Sequence, residues 1–170
     1  MSYEEIKKPA RARQADTSER YLAFLLGKEQ YAIPLLQVKE VIEMSEPTPI
    51  PQTPSYFKGV INLRGKVIPV VDLRLKFGMA EMVYSSRTCI IVTEVEGESG
   101  PMMIGAVVDG VSEVLNLVAA DIEDTPDFGG EVSTTGLLGM AKVKGKVKIL
   151  LDIDQVMTQQ DLKELGKIFS

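Results

Sequence analysis

Apolar residues in this chain come in short runs broken by glycine, proline and charged turns. The runs are Tyr21–Leu26, Tyr31–Leu35, Gly59–Leu63, Lys66–Val71, Thr88–Val95, Met102–Val108, Met140–Val143 and Lys146–Leu151. They are rich in β-branched residues and too short for core helices, so the pattern predicts a mainly β protein, barrels or a sandwich, and not an alternating α/β sheet. Helical spacing appears in two places. Leu73–Phe77 follows Asp72, a good N-cap, and stops at Gly78; Leu162, Leu165, Ile168 and Phe169 make an apolar face after the candidate N-cap Thr158, with Asp161 three residues on. The C-terminal helix, 158–170, is expected to dock on the core. Residues 1–19 lack apolar periodicity and read as a flexible tail, with the fold starting near Arg20.

The pattern repeats. Gly59–Leu73 aligns without gaps to Gly139–Ile153, 80 residues later; upstream, Val38–Ile42 matches Val111–Leu115 at an offset of 73, and Thr53, Pro54 and Phe57 resemble Thr125, Pro126 and Phe128. The change of offset implies an insertion, expected as an exposed loop at Gly129–Thr135. The chain thus reads as two copies of one β-rich unit, about 20–87 and about 88–155, each too small to bury a comfortable core alone and so expected to share one. Equivalent positions divide by role. Gly65 and Gly145 fall at hairpin turns that need positive φ, and Asp72 and Asp152 at helix starts. The copies differ most at Asn62-Leu63-Arg64-Gly65 against Lys142-Val143-Lys144-Gly145.

Composition narrows the chemistry. The 170 residues include no histidine, no tryptophan and one cysteine, which excludes His-based triads, His-ligated zinc, Cys-rich metal clusters and intrachain disulfides. Cys89, in Thr88-Cys89-Ile90-Ile91-Val92, reads as a small apolar strand residue. Capping explains Asp72 and Asp152; Asp121, Glu123 and Asp124 lie in a turn-like acidic run without metal spacing; no glycine-rich phosphate loop is present. No enzyme, cofactor or metal is expected. The longest apolar stretch, Met102–Val108, is far short of a membrane span and no export signal is seen, so a soluble cytoplasmic protein is expected.

Net charge is −5, which opposes nucleic acid or anionic lipid unless a local basic patch intervenes. Lys142, Lys144, Lys146 and Lys148 alternate with apolar residues and are expected on one solvated hairpin face, with Val143, Val147 and Ile149 on the other. They carry the alternative reading, a small nucleic-acid-binding β-barrel, although no interleaved aromatics offer stacking. Arg64, at a predicted hairpin tip, is either a solvated side chain or a fork of donors for a partner's carboxylates and carbonyls.

Taken in order, Tyr56–Gly65, Val67–Arg74, Gly105–Leu115 and Ile149–Ile153 resemble the signature segments of CheW, the bacterial chemotaxis coupling family, across nearly all of 20–157. The resemblance implies two SH3-like five-stranded β-barrels related by a pseudo-twofold axis. It also implies a non-catalytic adaptor joining the cytoplasmic tips of methyl-accepting chemoreceptors to the regulatory domain of the histidine kinase CheA, recruited to membrane-associated arrays without inserting in the membrane. Carried over by position, the receptor-facing groove would include Val38, Glu40, Lys58, Gly59, Asn62 and Arg64; kinase contacts at the barrel ends are not assignable. The chain has no room for the receiver that CheV-type relatives add, so a stand-alone coupler is expected.

Overall fold

Side chains along a strand alternate between two sides, and here both sides are apolar in many strands, so each sheet must be covered twice. The structure, a computed structural model, describes residues 18–97, 100–123, 136–157 and 159–169. Its strands are β1 (Glu19–Leu26), β2 (Glu29–Pro34), β3 (Val38–Glu43), β4 (Phe57–Leu63), β5 (Lys66–Asp72), β6 (Cys89–Gly97), β7 (Gly100–Val108), β8 (Gly110–Leu117), β9 (Ile122–Glu123), β10 (Leu137–Val143) and β11 (Lys146–Leu151). Helices α1 (Leu73–Lys76) and α2 (Ile153–Val156) follow β5 and β11 directly, and α3 (Gln159–Phe169) closes the described chain. The expected loop at Gly129–Thr135 and the N-cap Thr158 lie outside the described residues.

Two mainly antiparallel sheets form two barrels. Barrel A has the order β8-β1-β2-β11-β10-β9 and barrel B the order β3-β6-β7-β5-β4. Barrel A is six-stranded only because two-residue β9 pairs with Met140 and Ala141 of β10; barrel B has a single bridge, Thr48 to Val60, in the corresponding place.

The sheets do not follow the division at 87/88. Barrel A combines the β1–β2 hairpin of the first copy with β8, β9, β10 and β11 of the second, and barrel B combines the β6–β7 hairpin of the second with β3, β4 and β5 of the first. Each copy lends its leading hairpin to the other. Each exchanged hairpin has one parallel junction, Leu150 opposite Ala32 or Val70 opposite Gly105, and one antiparallel junction, Val114 opposite Leu22 or Val41 opposite Ile91. The expectation of one barrel per contiguous copy is therefore corrected, because similarity between copies does not reveal which copy's hairpin completes which sheet.

Alternation sorts the core into three parts. Tyr21, Ala23, Ala32, Leu115, Leu117, Ala141 and Leu150 fill barrel A. Ile61, Ile68, Val70, Ile90, Val92 and Val107 fill barrel B. The opposite sides of the same strands, with Leu22, Phe24, Ile33, Val71, Ile91, Ile104 and Leu151 among them, meet in a larger layer between the barrels. Ile153, Val156, Leu162 and Leu165 also bury there, so α2 and α3 dock on the shared core as expected.

Local chemistry fixes the ends of these elements. Asp72 accepts hydrogen bonds from the backbone N–H groups of Arg74 (2.9 Å) and Leu75, and Asp152 from that of Asp154 (3.0 Å), as N-caps do. Asp161 binds α3 to the first copy: it accepts from Tyr56 Oη at 2.5 Å and pairs with Lys76 Nζ at 2.6 Å, and that ammonium lies 4.9 Å from the centre of the Tyr56 ring.

Buried and half-buried phenols make the fold sensitive to alkali. Burial, then Glu19, pushes Tyr21 up to about 12. Burial, then hydrogen bonds to Asp161 and Asp72, raises Tyr56 and Tyr84 further. Unfolded tyrosine ionises near about 10, so their contribution is complete below that pH and is lost as pH rises through the folded values. Absorbance near 295 nm should report these tyrosines ionising together with the loss of near-UV circular dichroism. Smooth ionisation near pH 10 in an intact fold would contradict this.

Candidate interaction surface

The β4–β5 connection is a two-residue loop with both residues left-handed, Arg64 at φ +51° and Gly65 at +86°, and the β10–β11 loop repeats it with Lys144 at +53° and Gly145 at +80°. This is the turn whose twist suits a hairpin. Asn62 Oδ1 braces it by accepting from Gly65 N–H at 2.8 Å. A left-handed arginine costs about 1–2 kcal/mol of backbone strain relative to a residue in its preferred region. The turn holds its side chain at one place.

That place is opposite Glu40. The guanidinium binds the carboxylate bidentately, Nη1 to Oε2 at 3.2 Å and Nη2 to Oε1. Hydrogen bonding from Arg64 holds the Glu40 carboxyl below its ordinary range, and the same contact raises Arg64. With the Arg64 side chain 71% exposed, the pair adds little stability of its own. It clasps edge strand β3 to the β4–β5 turn and leaves part of the fork towards solvent.

A bulge in β3 separates Val38 from Glu40, which pair with adjacent residues Thr93 and Val92. Residues two apart would normally share a side; here Val38 packs against the interbarrel layer while Glu40 turns to Arg64. Lys58 lies six residues before Arg64 along β4, roughly 20 Å away for an extended strand. Its Nζ pairs with Glu81 at 2.9 Å, beside a depression lined by Met44, Pro47, Pro49 and Tyr84.

Gly59 is buried, not a surface contact. At φ +133°, an added Cβ would lie 2.6 Å from the Thr48 carbonyl carbon and 3.0 Å from Pro49 Cα. Its role is to admit the bridge in which Thr48 and Val60 exchange backbone hydrogen bonds of 2.8 and 2.9 Å. The six expected residues thus resolve into a clasp (Glu40, Asn62, Arg64), a flank (Val38), a distant cation (Lys58) and a fold residue (Gly59). Sequence reasoning missed Glu81, for which spacing held no clue, and the exposed Val41 and Leu36. Val41 could have been noticed as an apolar residue in the charged segment Val38-Lys39-Glu40-Val41-Ile42-Glu43.

The expected lysine face does not form. Across the two-residue turn Lys142 pairs with Val147, Ala141 with Lys148 and Val143 with Lys146. Paired residues share a side, so Lys142 faces outward with Val147 while Lys148 points inward and is only 5% exposed. Cys89 is half-buried and burial pushes its thiol up, which leaves it a packing residue. Among the described residues, no group of three or more His, Cys, Asp or Glu side chains could hold a metal ion, and no helix is long and apolar enough to cross a membrane.

Two hairpin-exchanged barrels carrying an exposed charge clasp define a binding scaffold. The model for the CheW-like domain matches residues 20–161, and the chain belongs to this family of non-catalytic chemotaxis adaptors. It is similar to the chemotaxis protein CheW of Klebsiella aerogenes, 37% identical over 144 residues covering 85% of this chain and 84% of that one. It is likewise similar to protein FrzA of Myxococcus xanthus, 33% identical over 136 residues covering 80% and 82%. The crystal structure of the scaffolding protein TtCheW from Thermoanaerobacter tengcongensis superposes with a TM-score of 0.74 at 32% identity, covering 85% of this chain and 95% of that one.

Proposed function

We propose that this adaptor couples the cytoplasmic tips of methyl-accepting chemoreceptors to the histidine kinase CheA, as a cytoplasmic protein recruited to receptor arrays, with residues 20–157 acting as one unit. The observation that carries the reading is the Glu40–Arg64 clasp: a solvent-facing arginine in a strained left-handed turn, bound bidentately across the sheet edge. The same turn recurs at Lys144, so the backbone conformation belongs to the fold; what supports the reading is the charged side chain held on it, exposed and adding little stability of its own. With Val38 beside it and Lys58 along β4, it offers a helical receptor tip an apolar contact and charged groups that set register. CheA's regulatory domain is the second partner.

Arg64→Asn separates charge from turn, since asparagine tolerates the left-handed region. The variant should melt within about 2 °C of the parent yet bind receptor roughly tenfold or more weakly, because charge-assisted hydrogen bonds contribute about 1.5–3 kcal/mol. Assembly of receptor, kinase and adaptor in vitro is the test, and normal receptor control of the kinase by this variant would remove Arg64 from the site. Because Glu40 is held below the usual carboxylate range, the clasp is complete at neutral pH and is lost only as pH falls through that lowered value.

A further inference from the structure

The two barrels are filled differently at one level. In barrel B, Ile61 pairs with Ile68 and both are buried; 80 residues on, barrel A places Ala141 against Lys148. Lys148 has Leu150 two residues along on the same interior side and Gln30 opposite it on β2. Three alanines, 23, 32 and 141, leave room for its stem. Among the described residues its ammonium has no hydrogen-bond or ion-pair partner, and the buried Gln30 Oε1 accepts no hydrogen bond. Only its stem is buried: the ammonium reaches solvent without a counter-charge, a placement that packing alone, for which the other copy uses isoleucine, does not require.

Lys148 also stands near an opening. Strands β2 and β11 run parallel, so the β1–β2 turn at Gly27-Lys28 and the β10–β11 turn at Lys144-Gly145 lie at the same end of barrel A. Lys28, Lys144 and Lys146 are exposed there against the exposed carboxylate of Glu29, a local excess of positive charge on a chain of net charge −5.

We propose that this end of barrel A binds a carboxylate presented by an acidic segment of a protein partner. Lys148 has three donors: one can serve Gln30 Oε1 and the others the incoming carboxylate, while the rim lysines draw the acidic segment in. A single inward ammonium suits one small anion. A nucleic-acid strand would meet the field of a net negative chain, and no aromatic residue is interleaved with the lysines of β10 and β11 to stack on its bases. This inference stands apart from receptor and kinase coupling.

The test titrates full-length, 15N-labelled protein with a blocked tetraglutamate peptide. Saturable shifts should centre on the amides of Gln30, Ala141 and Lys148. Lys148→Ile, which installs the residue of the other copy, should weaken the response roughly tenfold or more. If that variant fails to fold, Lys148→Met, unbranched like lysine, carries the same comparison. An unchanged titration in the variant, shifts confined to the rim lysines, no saturable response, or tighter binding of an octathymidine strand would each overturn the proposal.

Discussion

Gly59→Ala should lower the melting temperature by roughly 10 °C or more, an effect on the scale of losing 3–5 kcal/mol in a chain of this size. The backbone there, at φ +133°, is one that side-chain-bearing residues rarely adopt. The new Cβ would also press on Thr48 and Pro49 backbone atoms, which cannot swing aside as a side chain could. Relief requires breaking the two hydrogen bonds between Thr48 and Val60 that carry the β3–β4 connection back onto β4. Gly65→Ala is the control: its φ is positive too, but nothing lies within 4 Å of the added atom, so only the conformational cost of about 1 kcal/mol remains. Thermal unfolding followed by circular dichroism decides it, and a Gly59→Ala protein melting within 2 °C of the parent would refute the argument. A receptor-coupling defect in that variant would report on the fold rather than on a contact.

Cutting the chain between Arg87 and Thr88 should have a still larger effect. If each copy were a barrel, fragments 1–87 and 88–170 would each fold as monomers. With the hairpins exchanged, either fragment alone holds a hairpin without its partners and the remaining strands, three in the first and four in the second, without theirs. Each should therefore give a poorly dispersed NMR spectrum as a monomer, and an equimolar mixture should recover the spectrum of the intact chain. Native-like dispersion from monomeric 88–170 alone would show that the sheets can close without exchange.

Much of the fold was legible because its signals are local. The eight apolar runs became strands, and Gly65, Gly145, Asp72 and Asp152 took the roles that turn and cap chemistry assign them. Strands β3 and β8 were seen only as repeat matches, since charged and polar residues interrupt Val38–Glu43 and Gly110–Leu117. Exchange of the hairpins was not legible, because a parallel pairing such as Val70 with Gly105 joins residues far apart in sequence. Lys148 was misplaced by counting alternation through a turn. Two loop residues put even positions on one strand opposite odd positions on the other, and the lysines separate accordingly. At the site, spacing indicated Arg64 as a hairpin-tip residue, but its bond to Glu40 depends on how barrel B curls its two edge strands together.

Exchange also sets an order of events during synthesis. The β1–β2 hairpin is complete at Pro34, but β8 begins only at Gly110 and β11 only at Lys146. At ordinary elongation rates the hairpin waits on the order of ten seconds for its first partner. Throughout that interval Leu22, Phe24 and Ile33 on one side, and Tyr21, Ala23 and Ala32 on the other, have no sheet to cover them. Barrel B, whose last strand ends at Val108, can close first and offer the outer surface on which the waiting hairpin lays Leu22 and Phe24. The nascent adaptor is thus most exposed to aggregation and to chaperones at its N-terminal end, and the layer between the barrels is what first takes that end out of water.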